Sequence, residues 1–141
     1  MSIGYPSEES EIEMLSIHKH SSLIENLQTI IDIKDLLEIQ KNVYNVQTTK
    51  EINAYIVKIV NATRNNDKIM QGVSPRGSVS LMLCAKAYAL MQGRNYVIPD
   101  DIKYVAPYVL SHRLITYRNL SKKEIIKLIN EITNNTKVFY I

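Results

Sequence analysis

Two stretches of the chain place apolar residues at every third or fourth position, and a pair of helix-capping residues precedes each stretch. Thr48 and Glu51 form the T-x-x-E pattern of a capping box, and Ser121 and Glu124 form the S-x-x-E pattern. The apolar positions that follow are Ile52, Tyr55, Ile56, Ile59 and Val60 in the first stretch, and Ile125, Leu128, Ile129 and Ile132 in the second. This spacing puts one apolar stripe along an α-helix, and such a stripe must be buried. Because no strand-like alternation of useful length appears, we predict an all-α chain folded as a compact bundle of about five to six helices.

Further helices are predicted from their start signals and from one very apolar stretch. Ser7 is placed to cap a helix that would bury Ile12 and Leu15, and Asp32 is placed to cap a helix over Ile33–Val43. The stretch Val79–Met91 is apolar on every side, which predicts the most buried helix, at the centre of the bundle.

The end of this apolar helix and the start of the next are also marked in the sequence. Gly93 is placed to end the helix, and Pro99 to open the following one. Cys84 lies within the apolar stretch and is the one cysteine of the chain, so no disulfide can form within the chain. We expect its thiol to be buried and unreactive.

Charge and hydropathy exclude some classes of partner. The 17 basic and 14 acidic residues leave a formal charge of +3 without a basic run, so we expect no nucleic-acid partner. No apolar run approaches the roughly 20 residues of a membrane span, so we expect no membrane partner. The amino end is acidic, the opposite of a signal peptide, and we predict a cytoplasmic location.

The tripeptide Ser74-Pro75-Arg76 is chemically unusual. Ser74 suits a helix N-cap and Pro75 the first helical position, so Arg76 falls in the first turn. A cation is disfavoured there because the free N–H groups and the helix dipole are already positive. An anion such as phosphate, bound by those N–H groups and by the guanidinium, would make the arrangement favourable. The alternative is an arginine that pairs with a nearby carboxylate or is simply solvated.

A series of short motifs extends along the chain from this tripeptide. The motifs are Gly72-Val73-Ser74-Pro75-Arg76, Ala85-Lys86-Ala87, Gly93-Arg94-Asn95-Tyr96-Val97, Pro99-Asp100-Asp101 and Val109-Leu110-Ser111-His112-Arg113. In this order and spacing they resemble the carboxy-terminal lid of MoxR-type AAA+ ATPases. Gly4-Tyr5-Pro6 resembles the junction between the core domain and the lid of that family, and Tyr55-Ile56 and Ala62-Thr63-Arg64 resemble its preceding lid helix. Ile98 departs from the family pattern, which has Thr or Ser as the cap before P-x-D.

The resemblance implies a function that depends on another domain. Residues 1–6 would end the core-to-lid junction, and residues 7–141 would form a single helical lid domain of a longer ATPase. Arg76 would be the sensor 2 arginine, which contacts the phosphates of Mg-ATP bound mainly by the core domain, with Ser74 and Pro75 positioning it. His112 and Arg113 would pack against the bundle or contact a neighbouring subunit.

The resemblance also implies partners. The lid would couple ATP binding and hydrolysis on its own AAA+ core to chaperone-like remodelling or maturation of protein complexes. The full-length protein would form a homo-oligomeric ring, typically a hexamer, and act on client proteins such as von Willebrand factor A-type partners. The alternative is a stand-alone helical DNA-binding or adaptor module, but the stretch after Arg76 offers few polar side chains to base edges.

The sequence predicts that the 141-residue chain alone does not hydrolyse ATP. It contains no G-x-x-x-x-G-K-[ST] phosphate loop, which is the element that cradles the nucleotide phosphates in P-loop ATPases. A phosphate-release assay on the purified chain with Mg-ATP should give only the background rate. Metal-dependent turnover that stays with the chain through purification would contradict the lid interpretation.

Overall fold

Six α-helices and a two-stranded sheet make up the regular structure of the computed structural model, which describes residues 4–17 and 27–138. The helices are α1 (Glu8–Ile17), α2 (Ile33–Asn45), α3 (Lys50–Arg64), α4 (Pro75–Met91), α5 (Pro99–Leu110) and α6 (Lys122–Asn135). Strand β1 (Ile69–Gln71) pairs antiparallel with β2 (Ile115–Thr116), which follows a 3₁₀ turn at Ser111–Arg113. The mostly helical fold is confirmed. The two strands could not be predicted from the sequence, because strands of three and two residues are too short to show an alternation of apolar and polar residues.

The chain divides into two compact units, Met1–Leu36 and Leu37–Ile141. In the first unit, α1 begins after Ser7 as predicted, and the Ser7 hydroxyl accepts a hydrogen bond from the Ser10 amide at 3.3 Å. The prediction of a buried face was wrong, since Ile12 and Leu15 are 58% and 69% exposed. None of the residues of α1 is buried.

Capping residues begin α3 and α6. At α6 the predicted box is confirmed: Ser121 Oγ accepts the Glu124 amide at 3.3 Å, and the Glu124 carboxylate accepts the Ser121 amide at 2.8 Å. The Ser121 hydroxyl also donates to Glu124 Oε2 at 2.6 Å, and this bond, together with the one from the Ser121 amide, lowers the pKa of the Glu124 carboxyl. At α3 the predicted cap was wrong by one residue, because it is Thr49, and not Thr48, whose hydroxyl accepts an amide, that of Ile52 at 3.3 Å.

The core lies in the second unit, where α5 packs against α4, α6 and α3, and α3 packs against α4 and α6. The predicted α3 stripe is confirmed, since all five of its apolar residues are buried. The Tyr55 hydroxyl donates to the Thr133 carbonyl at 3.1 Å and so joins α3 to α6. Burial raises the pKa of Tyr55. The fully buried large residues are Tyr55, Ile59, Leu81, Ile102, Leu110 and Ile129, with Val60 and Val73 beside them.

Helix α4 is not the most buried helix, contrary to the prediction. It buries one stripe with four-residue spacing, Gly77, Leu81, Ala85 and Ala89, whereas seven of the twelve residues of α5 are buried. The α4 stripe consists mostly of small residues, so neighbouring helices approach closely along one side without enclosing the rest. Cys84 is therefore exposed, which corrects the expectation of a buried thiol.

The turn between α4 and α5 is fixed by backbone and side-chain bonds. Gly93 ends α4 as predicted, with φ +74°, and the Arg94 amide returns to the Ala89 carbonyl at 2.9 Å in a Schellman arrangement. The Arg94 guanidinium then bonds both carboxylate oxygens of Asp101, at 2.5 and 2.8 Å. Asp101 is only 2% exposed, and its carboxylate also accepts the Ile98 amide at 2.9 Å. Ile98 has no polar side chain to accept the Asp101 amide in return, and that amide donates to the Ile98 carbonyl at 3.1 Å.

Aromatic packing strengthens the contact between these two helices. The Tyr88 ring of α4 stacks on the Tyr104 ring of α5 with 4.3 Å between centroids, and Tyr108 lies beyond Tyr104 at 5.9 Å. Stacked and tilted aromatic pairs contribute about 0.5–1.5 kcal/mol beyond the area they bury. The α4–α5 pair is thus held by a turn, an ion pair and an aromatic contact at once.

Leu81 and Leu83 test the one-sided burial of α4. Leu81 is fully buried, whereas Leu83 is half-buried two residues further along the same helix. Leu81→Ala should lower the free energy of unfolding by about 2–5 kcal/mol, the range of core leucine truncations, and Leu83→Ala should lower it by clearly less. Urea denaturation of both variants measures the difference. Equal losses would mean that α4 is enclosed on both sides.

Candidate functional site

Arg76 lies in the first turn of α4, as the sequence predicts. Pro75 is the first helical residue, and Ser74 before it has the extended conformation of an N-cap, with φ −72° and ψ 164°. The Ser74 side chain makes no capping hydrogen bond, so its hydroxyl does not occupy the N–H groups of the turn. The start of the helix is therefore as predicted, but it is not capped through Ser74.

The Arg76 side chain is exposed and unpaired. In the part of the chain that the structure describes, its guanidinium makes no hydrogen bond, ion pair or ring contact. The first turn of α4 contains no acidic residue. The positive end of the helix dipole and a free guanidinium thus lie together, which is the combination that favours a bound anion. The alternative of an intramolecular carboxylate partner finds no support in the described residues.

Val73, which precedes Ser74, is held through both of its backbone groups. Its amide donates to Thr63 Oγ1 at 3.1 Å, and its carbonyl accepts Arg64 Nε at 2.8 Å. Thr63 and Arg64 are consecutive residues at the end of α3. Val73 itself is fully buried. We call these two hydrogen bonds the Val73 clamp, and they fix the backbone three residues before Arg76.

Two glycines make the clamp sterically feasible. A Cβ on Gly72 would stand 2.7 Å from the Arg64 Cα, and a Cβ on Gly77 would stand 2.2 Å from Cγ1 of Val73. Both distances are shorter than van der Waals contact, so a side chain at either position would force the chain segments apart. Gly77 lies outside the motifs quoted from the sequence. A glycine in the first turn of a helix, where alanine has the higher helix propensity, was the available signal.

Two other arginines of the second unit, Arg113 and Arg94, bond to backbone or to a buried carboxylate. Arg113 donates through Nε to the Val109 carbonyl at 3.1 Å, and its Cδ passes 3.6 Å from the place of a Cβ on Gly77. Arg113 thus packs against the start of α4, whereas His112 is exposed. The Arg94 guanidinium donates to the Asp101 carboxylate, and this hydrogen bond raises the pKa of the guanidinium.

The described residues contain no group of three or more His, Cys, Asp or Glu side chains that could hold a metal ion. Across residues 4–17 and 27–138, each helix is too short or too polar to cross a lipid bilayer. An exposed guanidinium beside a helix start is chemically able to bind an anion.

Comparison with protein families and with known proteins finds close relatives. A model of the AAA lid domain matches residues 61–132, about half of the chain, and this range includes the Val73 clamp, Arg76 and the α4–α5 turn. The chain is 46% identical over 115 residues to the protein YeaC of Bacillus subtilis, covering 82% of the chain and 36% of YeaC. It is 34% identical over 131 residues to the chaperone MoxR1 of Mycobacterium tuberculosis, covering 86% of the chain and 34% of that chaperone.

A solved structure shares the fold. The crystal structure of a protein described as a "putative ATPase" from Cytophaga hutchinsonii superposes with a TM-score of 0.72 at 30% identity. The superposition covers 92% of this chain and 43% of the Cytophaga protein. The chain therefore spans about a third of the length of YeaC and MoxR1, and under half of the Cytophaga protein.

Thr63 tests the Val73 clamp as a source of stability. Thr63→Val keeps the shape of the side chain but leaves the buried Val73 amide without its acceptor, which should lower the free energy of unfolding by about 1–3 kcal/mol. Thr63→Ser is the matched control, since it keeps the hydroxyl and loses only a methyl group. Chemical denaturation of the three proteins measures the effect. A valine variant as stable as the serine variant would show that the hydroxyl contributes nothing.

Proposed function

Because the chain belongs to the AAA lid domain family and is related to the MoxR chaperones, we propose that it is the lid of a MoxR-type AAA+ ATPase and that Arg76 is its sensor 2 arginine. In this proposal the lid, residues 7–141 after a junction at residues 1–6, works beside a AAA+ core that binds Mg-ATP. Arg76, with its helix start set by Ser74 and Pro75, contacts the phosphates. The observation that carries the proposal is the free guanidinium at an uncapped helix start with no acidic neighbour.

The electrostatics of the site give Arg76 a role in the nucleotide cycle. A fixed cation beside a positive helix end stabilises the charge that develops on a transferring phosphoryl group. When that phosphate leaves, the lid loses a contact that it makes in only one of its orientations relative to the core. The equilibrium between these orientations then shifts. The proposed lid thus converts the presence of the terminal phosphate into a change in its own position.

The same proposal extends to the assembly that the lid serves. We propose a cytoplasmic homo-oligomeric ring, of hexameric size, in which lid movement drives chaperone-like remodelling or maturation of client complexes, von Willebrand factor A-type proteins among them. The relationship to a chaperone supports this role. Helix α4 does not suit the alternative of DNA recognition, because its exposed residues beyond Arg76 are Val79, Cys84 and Met91. A recognition helix presents polar side chains to base edges.

The experiment is a chimera in which this chain replaces the part of the Cytophaga protein with which it aligns. In the chimera, Arg76→Ala should lower the rate of ATP hydrolysis by about tenfold or more, below the roughly 10³–10⁵ of arginines that act alone on a phosphoryl group, because other groups also contact the phosphates. Arg76→Lys should restore little of the rate, since lysine keeps the charge but not the planar fork.

Two controls accompany the Arg76 variants. Arg118→Ala removes another exposed arginine, on the connection from β2 to α6, and should leave hydrolysis unchanged. In the 141-residue chain, Arg76→Ala should leave the melting temperature nearly unchanged, because the side chain is exposed and its removal relieves the unfavourable interaction with the dipole. Unfolding of the chain by Arg76→Ala, or full hydrolysis in the chimera, would show that Arg76 is structural and that the sensor assignment is wrong.

A further inference from the structure

Arg64 is an exposed arginine whose hydrogen bonds go to neutral acceptors. Its Nε donates to the Val73 carbonyl at 2.8 Å and its Nη1 donates to Asn61 Oδ1 at 3.0 Å. Neither acceptor is a carboxylate, and Arg64 forms no ion pair among the described residues. A guanidinium used in this way contributes geometry, because its planar, rigid donors fix the direction of the carbonyl that they contact.

We propose that Arg64 is a positioning residue for Arg76, acting through the Val73 carbonyl. This inference rests on the proposed function of Arg76, and it assigns to Arg64 the role of positioning the helix turn that carries Arg76. Arg64 holds the carbonyl of the residue before the N-cap, and thereby sets the direction in which the first turn of α4 leaves the loop. The backbone of Arg76, three residues further, is thereby held in place, while its side chain makes no bond of its own in the described residues.

The start of α4 needs such a device because it lacks the usual one. Helices α3 and α6 begin with a side-chain cap, from Thr49 and Ser121 respectively, whereas Ser74 provides none to α4. A cap would orient the turn, but it would also occupy the N–H groups that an anion uses. Orientation by Arg64 comes from outside the turn. Since Pro75 has no N–H and the Gly77 amide donates to the Ser74 carbonyl, the amide of this turn that stays available to a ligand is that of Arg76.

The two bonds of the Val73 clamp are not equivalent in burial. Thr63 is fully buried, so its bond to the Val73 amide belongs to the core. Arg64 is exposed, so its bond to the Val73 carbonyl can be removed while the core stays intact. Without Arg64, the Val73 amide still anchors the loop and the carbonyl is free to turn. Misplacement of a contact group by about 1 Å costs a reaction up to roughly a hundredfold.

A double-mutant cycle in the Cytophaga chimera tests the inference. Arg64→Ala should lower the rate of ATP hydrolysis by about tenfold to a hundredfold, with a melting temperature close to that of the unmutated chimera. In the Arg76→Ala background, Arg64→Ala should lower the rate no further, because Arg64 acts by positioning a guanidinium that this background lacks. Arg118→Ala serves again as the matched exposed arginine.

The outcomes separate the two proposals. If Arg76→Ala leaves hydrolysis unchanged, the sensor assignment fails, and the role of Arg64 fails with it. If Arg76→Ala lowers hydrolysis and Arg64→Ala does not, the positioning role alone is overturned. Equal losses from Arg64→Ala in both backgrounds would assign Arg64 a role independent of Arg76. Arg64→Lys should resemble Arg64→Ala, since it keeps the charge and loses the fork, and full rescue by lysine would contradict positioning.

Amide hydrogen exchange in the 141-residue chain gives a readout that needs no ATPase. The Gly77 amide donates to the Ser74 carbonyl at 2.8 Å and so reports on the first turn of α4. Arg64→Ala should accelerate exchange at Gly77 by about tenfold while exchange at Ile129 in the core is unchanged. Unchanged exchange at Gly77 would overturn the inference even if the chimera proved inactive. Arg118→Ala should alter exchange at neither amide.

Discussion

The hydrogen bonds that Thr63 and Arg64 make to the two backbone groups of Val73 hold the loop that leads into α4 against the end of α3. They join the end of a core helix, whose buried stripe is anchored to α6 by Tyr55, to a helix start that is otherwise uncapped. Gly72 and Gly77 are needed because the chain segments meet too closely for a Cβ at either position. Thr63, Arg64 and Val73 through their hydrogen bonds, and the two glycines through their lack of a side chain, thus allow the loop before α4 to lie against the end of α3.

This arrangement separates stability from ligand capacity. The buried partners of the clamp, Thr63 and Val73, belong to the hydrophobic core, while the groups that face solvent, Arg64 and Arg76, contribute little to it. A site that recognises a transient anion benefits from this division, because its charged groups can be free of intramolecular partners without a loss of fold. Buried, unpaired charges would be far more destabilising.

The parts of the fold that follow from local rules could be predicted from sequence. The stripe from Ile52 to Val60, the box at Ser121 and Glu124, the turn at Gly93 and the opening of α5 at Pro99 all depend on residues that lie close together along the chain. The position of Arg76 in the first turn of α4 followed from Ser74 and Pro75 alone.

Properties set by packing between distant segments could not be predicted in this way. Exposure of Cys84 depends on which side of α4 meets its neighbours, and an all-round apolar composition carries no information about that side. The Val73 clamp joins residues ten and nine positions apart across a loop, so only the tertiary structure reveals that Thr63 and Arg64 bear on Arg76.

The fixed turn between α4 and α5 has a mechanical consequence. Gly93, the Arg94–Asp101 ion pair and the stacked tyrosines make the far end of α4 a stiff joint, and α4 is a 17-residue rod about 25 Å long. Because the start of α4 is also held to α3 by the Val73 clamp, the helix is bound at both ends. A force applied at Arg76 would therefore move α3, α4 and α5 together as one rigid body instead of bending α4 alone.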